Sequence, residues 1–215
     1  SKLIEVNRPF SVPPLTATDN KNAHWIVAGS GRLLVSNDGD YTAAGEAMYA
    51  IKEQFNANGT IASNTVALNA LANVTDAAVS KTNSKNISSR TNSGGSVSLG
   101  LAGAGNITSR EDAITAIENA SGWYEVFPNG ERNHIESAMS LSTLFYATYS
   151  QSSSCDLGDS YIYARELSTG LPKIYPQTGL SLNDETGKLT LVDVRITGLT
   201  SREYVDSMGG EGQID

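Results

Sequence analysis

The chain has 215 residues, a formal net charge of −8 and one cysteine. It is long enough to bury a hydrophobic core in one or two domains. The acidic balance argues against nucleic acids and anionic membranes as partners, because both select basic surfaces. A single cysteine excludes an internal disulfide.

Glycine, serine, asparagine and threonine are abundant, which favours short strands and many turns over a helical bundle. No run of about 18 apolar residues occurs, so we predict no membrane-spanning helix. No signal-peptide pattern opens the sequence. We therefore expect it to be a mature or excised piece of a longer protein.

The first third of the chain predicts three extended segments. One ends at the paired prolines Pro13 and Pro14, which stop regular structure. The second, from His24 to Val35, is interrupted by Gly29-Ser30-Gly31, and glycine within an apolar strand predicts a bulge or a close backbone approach. Residues 47–53 predict a strand, with the end of a short helix as the alternative.

The middle of the chain is rich in small polar residues. Residues 80–105 predict a long surface insertion that buries little area. Ser109 with Asp112 three residues later approximates a capping box, which marks a helix start. We therefore predict a short helix immediately after Ser109.

The C-terminal half has the densest strand signals. Gly122–Arg132 combines an aromatic strand with a Pro-Asn-Gly turn, and Met139–Tyr146 and Tyr161–Leu167 predict two more strands. We expect these three strands to form one small antiparallel sheet. Residues 189–196 alternate regularly and predict a further strand.

These elements predict an all-β fold of roughly nine short antiparallel strands with one short helix. Strand pairs separated by turns are typical of β-propeller blades, and a β-sandwich is the alternative. We treat residues 1–215 as a single domain, or a fragment of one, that carries the 80–105 insertion.

Two motifs resemble the C-terminal propeller domain of the PilY/PilC family, which comprises type IV pilus biogenesis factors and tip adhesins. The first is Trp-Ile-Val-Ala-Gly-Ser-Gly-Arg-Leu-Leu at 25–34, followed by Ala-Met-Tyr-Ala-Ile-Lys-Glu at 47–53. The second is Gly-Trp-Tyr-Glu-Val-Phe-Pro-Asn-Gly-Glu-Arg at 122–132. Ser30 stands where the family has threonine, and Phe127 where leucine is usual.

The resemblance also includes the spacing to later residues of the chain. These are Thr148, Cys155, Gly158, the strand 161–167 and Thr169-Gly170. It extends over residues 1 to about 205, apart from the insertion at 80–105. The motifs occur in the family's order.

The resemblance implies a non-enzymatic, extracellular module of a pilus tip-associated protein. It implies contact with pilin or minor pilin subunits, support of pilus assembly against retraction, and adhesion to a host or abiotic surface. The family's large N-terminal region and Asp-rich calcium loop are not found in this sequence. Because a propeller needs at least about four blades, we expect the chain to be a fragment of a longer protein, to be completed by another chain, or to be a shortened variant.

The best metal candidates are Asp38 and Asp40 in the loop Asn37-Asp38-Gly39-Asp40. Oxygen ligands separated by glycine can wrap a calcium ion. However, the position that should carry a bidentate glutamate is Tyr49, so a turn without metal is the alternative.

No catalytic constellation is apparent in the sequence. His24 and His134 flank turns without triad or ligand spacing. Gly29-Ser30-Gly31 is not followed by the Lys-Ser/Thr of a phosphate loop.

Five of the aromatic residues have two alternative interpretations. They are either core packing or an exposed sugar-binding platform. The residues concerned are Trp25, Trp123, Tyr124, Phe145 and Tyr146.

Two other functions stay open. A structural subunit of a bacterial surface fibre would display the 80–105 segment as an exposed loop. A hydrolase built on a propeller would need paired carboxylates or a triad, which the sequence does not reveal.

Overall fold

The computed structural model describes residues 3–32, 45–55, 58–60, 65–80, 83–92, 95–128, 130–150, 158–173 and 188–191, with 189–191 described by backbone alone. Strands account for 42% and helical segments for 8%, which confirms a mostly β, antiparallel architecture. No helix of the described ranges is long and apolar enough to cross a membrane.

Within the described residues, the elements are eleven strands, one α-helix and one 3-10 turn. In chain order they are β1 (Leu15–Thr18), β2 (His24–Gly29), β3 (Ala47–Lys52), a 3-10 turn (Leu68–Ala70), β4 (Ala72–Asn73), β5 (Ala77–Val79), β6 (Ile87–Ser89), α1 (Arg110–Glu118), β7 (Gly122–Val126), β8 (Ala138–Ser140), β9 (Thr143–Ser150), β10 (Asp159–Glu166) and β11 (Lys188–Leu191).

The first sheet has the order β1-β2-β3-β7-β4. All its pairings are antiparallel except that of β4 with β7, which is parallel. The central strand β3 is buried on both faces, because the sheet has apolar clusters on either side of it. Residues 47–52 therefore form the strand that the sequence predicts, and not a helix end.

The second sheet has the order β11-β10-β9-β8, and β5 and β6 form a separate two-stranded sheet. The predicted single strand Met139–Tyr146 is wrong, because β8 and β9 are an antiparallel hairpin with Leu141 and Ser142 at its tip. The prediction that Gly122–Val126 pairs with the two strands after it is also wrong. β7 pairs with β3 and β4 in the first sheet.

The main hydrophobic core lies between the two larger sheets. Trp25, Met48 and Trp123 from the first sheet join Leu144 and Tyr146 from the second in one buried cluster. The two tryptophans and Tyr146 are at most 2% exposed. Core packing, and not a sugar-binding platform, is therefore the role of these aromatic rings.

The expectation that residues 80–105 bury little area is wrong for the described part of that segment. Ile87, Val97 and Leu99 all lie in the main core. Val97 also exchanges backbone hydrogen bonds with Ile107, and Leu99 accepts one from Asn73 N. Average composition conceals this role, because a few well-spaced large side chains are enough to anchor a segment that is otherwise polar.

The predicted helix start is confirmed. The Ser109 hydroxyl accepts a hydrogen bond from the Asp112 backbone N–H at 3.4 Å and caps α1. Ala113 and Ile117, four residues apart, are the buried face of the helix. The cap and the apolar spacing are both local signals, which explains why the sequence is sufficient to predict them.

Leu141 at the β8–β9 tip combines a backbone φ of +53° with 98% exposure. A side chain in this left-handed region costs about 1–2 kcal/mol, and the exposed leucine recovers little of it by packing. We expect L141G to raise the free energy of unfolding by about 0.5–1 kcal/mol in urea titrations. L141A is the control, because it keeps a Cβ and therefore the strain; an equal gain from L141A would contradict this explanation.

Candidate functional site: a polar network between the sheets

The network centres on Glu125 of β7, whose side chain shares the inward face of the strand with Trp123 because alternate residues of a strand face the same side. Glu125 and Arg165 are each 1% exposed. Arg165 donates from Nε to Oε2 at 2.7 Å and from its terminal nitrogen to Oε1 at 2.6 Å. This bidentate ion pair joins β7 of the first sheet to β10 of the second.

Two further donors complete the surroundings of Glu125. Tyr146 of β9 donates its hydroxyl to Oε2. Arg90 donates to Oε1 at 3.2 Å and to the Thr75 carbonyl at 2.8 Å. Four hydrogen bonds from three residues therefore meet at one buried carboxylate.

The pairing sets the ionisation of the network. Burial alone would raise the pKa of Glu125, but the charges and hydrogen bonds of Arg165 and Arg90 outweigh it, and the pKa is lowered. The pKa of Arg165 is raised, because attraction to Glu125 exceeds the cost of burying the guanidinium. Burial, followed by the charge of Glu125, raises the pKa of Tyr146 well above its usual value. Glu125 and Arg165 are accordingly a charged pair at neutral pH.

A second carboxylate lies beside the first. Glu131, 3% exposed, accepts from the Thr148 hydroxyl at 2.7 Å and the Tyr163 hydroxyl at 2.6 Å through Oε2. Lys188 of β11 donates to its Oε1. Burial, followed by the charges of Glu131 and Glu125, raises the pKa of Tyr163 well above its usual value.

Stacked aromatic rings connect the two carboxylates. Tyr146 and Tyr163 are cross-strand partners, and their rings stack at 4.9 Å with an interplanar angle of 8°. Phe127 packs at 5.9 Å and 6.1 Å against the two rings. Each tyrosine donates to one carboxylate, so the polar network and the aromatic core are built from the same residues.

A second junction lies where Gly29-Ser30-Gly31 meets the segment 131–133. Asn133 N donates to the Ser30 carbonyl at 3.0 Å, and the Asn133 side-chain amide donates to the Ala147 carbonyl of β9 at 2.7 Å. A Cβ on Gly29 would lie 2.2 Å from Asn133 Oδ1. The close backbone approach that the Gly-Ser-Gly sequence predicts is therefore confirmed, and its partner is Asn133.

Trp123 forms a third bridge between the sheets. Its indole N–H donates to the Leu167 carbonyl at 2.7 Å. Gly170, with φ +67°, lies directly under the indole, since a Cβ there would approach Trp123 Cδ2 to 2.4 Å. Trp123 and the Thr169-Gly170 turn therefore fit together as one unit.

The residues singled out from the sequence have different outcomes. Asp38 and Asp40, the calcium candidates, lie outside the described residues, as does Cys155. His24 is exposed and contacts the Phe55 ring. His134 is half-buried against the Tyr149 ring. Among the described residues, no group of three or more His, Cys, Asp or Glu could hold a metal ion.

Sequence reasoning missed the network itself. One signal was present: Tyr161, Tyr163 and Arg165 alternate onto one face of β10, and an arginine on the buried face of a strand requires a charged partner. The identity of that partner was not readable, because Glu125 lies 40 residues earlier in the chain and in the other sheet.

The arrangement is suited to fixing the two sheets and not to proton transfer. All four oxygens of Glu125 and Glu131 accept hydrogen bonds, and both carboxylates contact cationic side chains. A general acid or base must reach a substrate proton. In this network, hydrogen-bond donors of the protein itself already occupy all four carboxylate oxygens.

Comparison of the chain with models of known protein families, with curated proteins and with solved structures finds no match.

We expect E125Q to lower the free energy of unfolding by about 3–5 kcal/mol, because it leaves Arg165 charged and buried without its counter-ion. The exposed Glu136 provides the matched control E136Q, with a change within about 0.5 kcal/mol. The measurement is chemical denaturation at neutral pH. Equal effects of the two variants would show that the buried pair has no special role.

The deficit of E125Q depends on pH. Since the folded-state pKa of Glu125 lies below its usual value of 4.5, its contribution to stability is complete above pH 4.5 and is lost as pH falls through the folded pKa. The gap between wild type and E125Q should therefore narrow below about pH 4.5. A gap that stays constant down to pH 2 would contradict the assignment.

We expect G29A to cost about 1–3 kcal/mol of stability, because its methyl group collides with Asn133. Gly105 provides the control G105A, since a Cβ there meets nothing within 4 Å. Thermal unfolding of both variants measures the difference. In an N133G background the additional stability cost of G29A should fall. If the costs of the two substitutions simply add, the methyl group does not collide with Asn133.

Proposed function

We propose that this chain is a non-catalytic, extracellular module of a type IV pilus tip-associated protein of the PilY/PilC kind. In this proposal it contacts pilin or minor pilin subunits, supports pilus assembly against retraction and contributes to surface adhesion. The chain acts as a scaffold and not as an enzyme.

The observation that carries the proposal is that the two motifs resembling the family are in contact. The first motif supplies β2 and β3, the second supplies β7, and these are three neighbouring strands of one sheet. Beyond these strands, Gly31 of the first motif lies against Arg132 of the second. A Cβ added to Gly31 would lie 2.7 Å from the Cβ of Arg132. Two segments that are distant in sequence therefore form one structural unit, which supports considering the two motifs together.

The polar network supports a scaffold role. Its carboxylates are held by neighbouring cations and hydroxyls, as in the junction of two packed layers. Perturbed ionisable groups often mark active sites, but structural ion-pair networks perturb them as well. The saturation of every carboxylate oxygen favours the structural interpretation.

We also propose that the two larger sheets are adjacent propeller blades. Apart from the parallel β4–β7 pair, both sheets are antiparallel, and they face one another across the main core. Within the described residues neither sheet is closed, and a sandwich would also pack two sheets face to face. In the propeller arrangement, further blades come from another chain or from a longer parent of this sequence.

The experiment is a deletion of this segment within the intact parent protein in its own cells. Loss of surface pili, loss of co-purification with pilin subunits and loss of surface attachment are the expected results. A parent that carries G105A is the matched control and should behave as wild type. Unchanged piliation and attachment after the deletion would overturn the proposal.

Immunogold labelling of the intact parent distinguishes the alternative function. A tip-associated protein places label at filament ends. Label repeated along the filament would identify a structural fibre subunit instead.

A further inference from the structure

Lys188, the first residue of β11, extends its side chain into the protein and not toward solvent. Its side chain is 16% exposed, and that of its partner Glu131 is 3% exposed. The ammonium nitrogen lies 3.6 Å from the centre of the Tyr161 ring and 5.3 Å from that of Tyr163. One charged group thus contacts a carboxylate and two aromatic rings.

The groups that surround the ammonium all lie outside β11. Thr148 of β9 and Tyr163 of β10 both donate to Oε2 of Glu131, which leaves Oε1 directed at Lys188. Tyr161 and Tyr163 belong to the same strand and share one face of it. A carboxylate flanked by tyrosine rings combines charge pairing with cation–π attraction, which is the chemistry that binds an alkylammonium group.

The strand that carries Lys188 is short and lies at the edge of its sheet. β11 has four residues and, among the described strands, pairs only with β10, with Tyr163 opposite Lys188 and Ser160 opposite Leu191. A strand of this length has few backbone hydrogen bonds, and edge strands open readily. An additional side-chain anchor therefore strongly affects its docking.

We propose that Glu131, Tyr161, Tyr163 and Thr148 form a binding site for a primary alkylammonium group. Its resident ligand is the side chain of Lys188. Filling of this site docks β11 onto β10 and completes the second sheet. The site is a lysine-binding cage that the chain fills from its own C-terminal part, independent of the pilus proposal.

The test uses the full chain with K188A, which removes three methylene groups and the ammonium. Hydrogen exchange should show about tenfold or greater loss of protection at amides shared by β10 and β11. Amides shared by β9 and β10 should keep theirs. Added n-propylammonium, which matches the missing atoms, should restore protection, whereas sodium chloride at equal ionic strength and 1-propanol should not.

Two further variants serve as controls for K188A. K85A, at an exposed lysine, should leave exchange unchanged. K188A combined with E131Q should show no response to propylammonium, because the carboxylate charge that attracts the ammonium is gone.

Several outcomes would overturn the proposal. They are unchanged protection in K188A, equal rescue by 1-propanol, and rescue that persists without the Glu131 charge. If K188A loses protection throughout the chain, the thermal midpoint of K188A is measured instead. A midpoint that rises with propylammonium, but not with sodium chloride or 1-propanol, supports the cage. A midpoint that does not rise with propylammonium refutes it.

Discussion

The fold depends on the charge of Glu125 being satisfied inside the core. A buried carboxylate without partners is too costly to persist, and its donors come from β10, from β9 and from the loop after β6. These three regions can all reach Glu125 only when the two larger sheets face each other in one arrangement. Because burial of both charges offsets much of their attraction, the pair defines the arrangement more than it adds to net stability.

Aromatic packing and hydrogen bonding reinforce each other around this pair. The rings of Tyr146 and Tyr163 stack within the apolar core, while their hydroxyls donate to Glu125 and Glu131. A phenylalanine in either position would keep the ring contact but leave the carboxylate short of a donor. This dual use explains why the inter-sheet layer contains tyrosine on β9 and β10, and why the second carboxylate extends the layer as far as Lys188 on β11.

Glycine and asparagine make the other junctions possible. Gly29 allows Asn133 to approach the backbone of β2, and Asn133 then reaches the Ala147 carbonyl of β9. Gly170 gives the Trp123 ring its space in the same way. The small residues of the motifs are therefore needed for contact between the sheets. That requirement couples segments that are far apart in sequence.

The sequence alone determined the local features: the capped start of α1 at Ser109, the strands containing Trp25, Trp123 and Tyr163, and the close approach at Gly29. Each depends on periodicity, capping or backbone freedom over a few residues. Only the tertiary structure decided which strands share a sheet, that the β8–β9 hairpin turns at Leu141 without a glycine, and that Arg165 pairs with Glu125. Strand patterns show which residues face inward, but not which strand lies opposite, since that is settled by packing and charge pairing between distant segments.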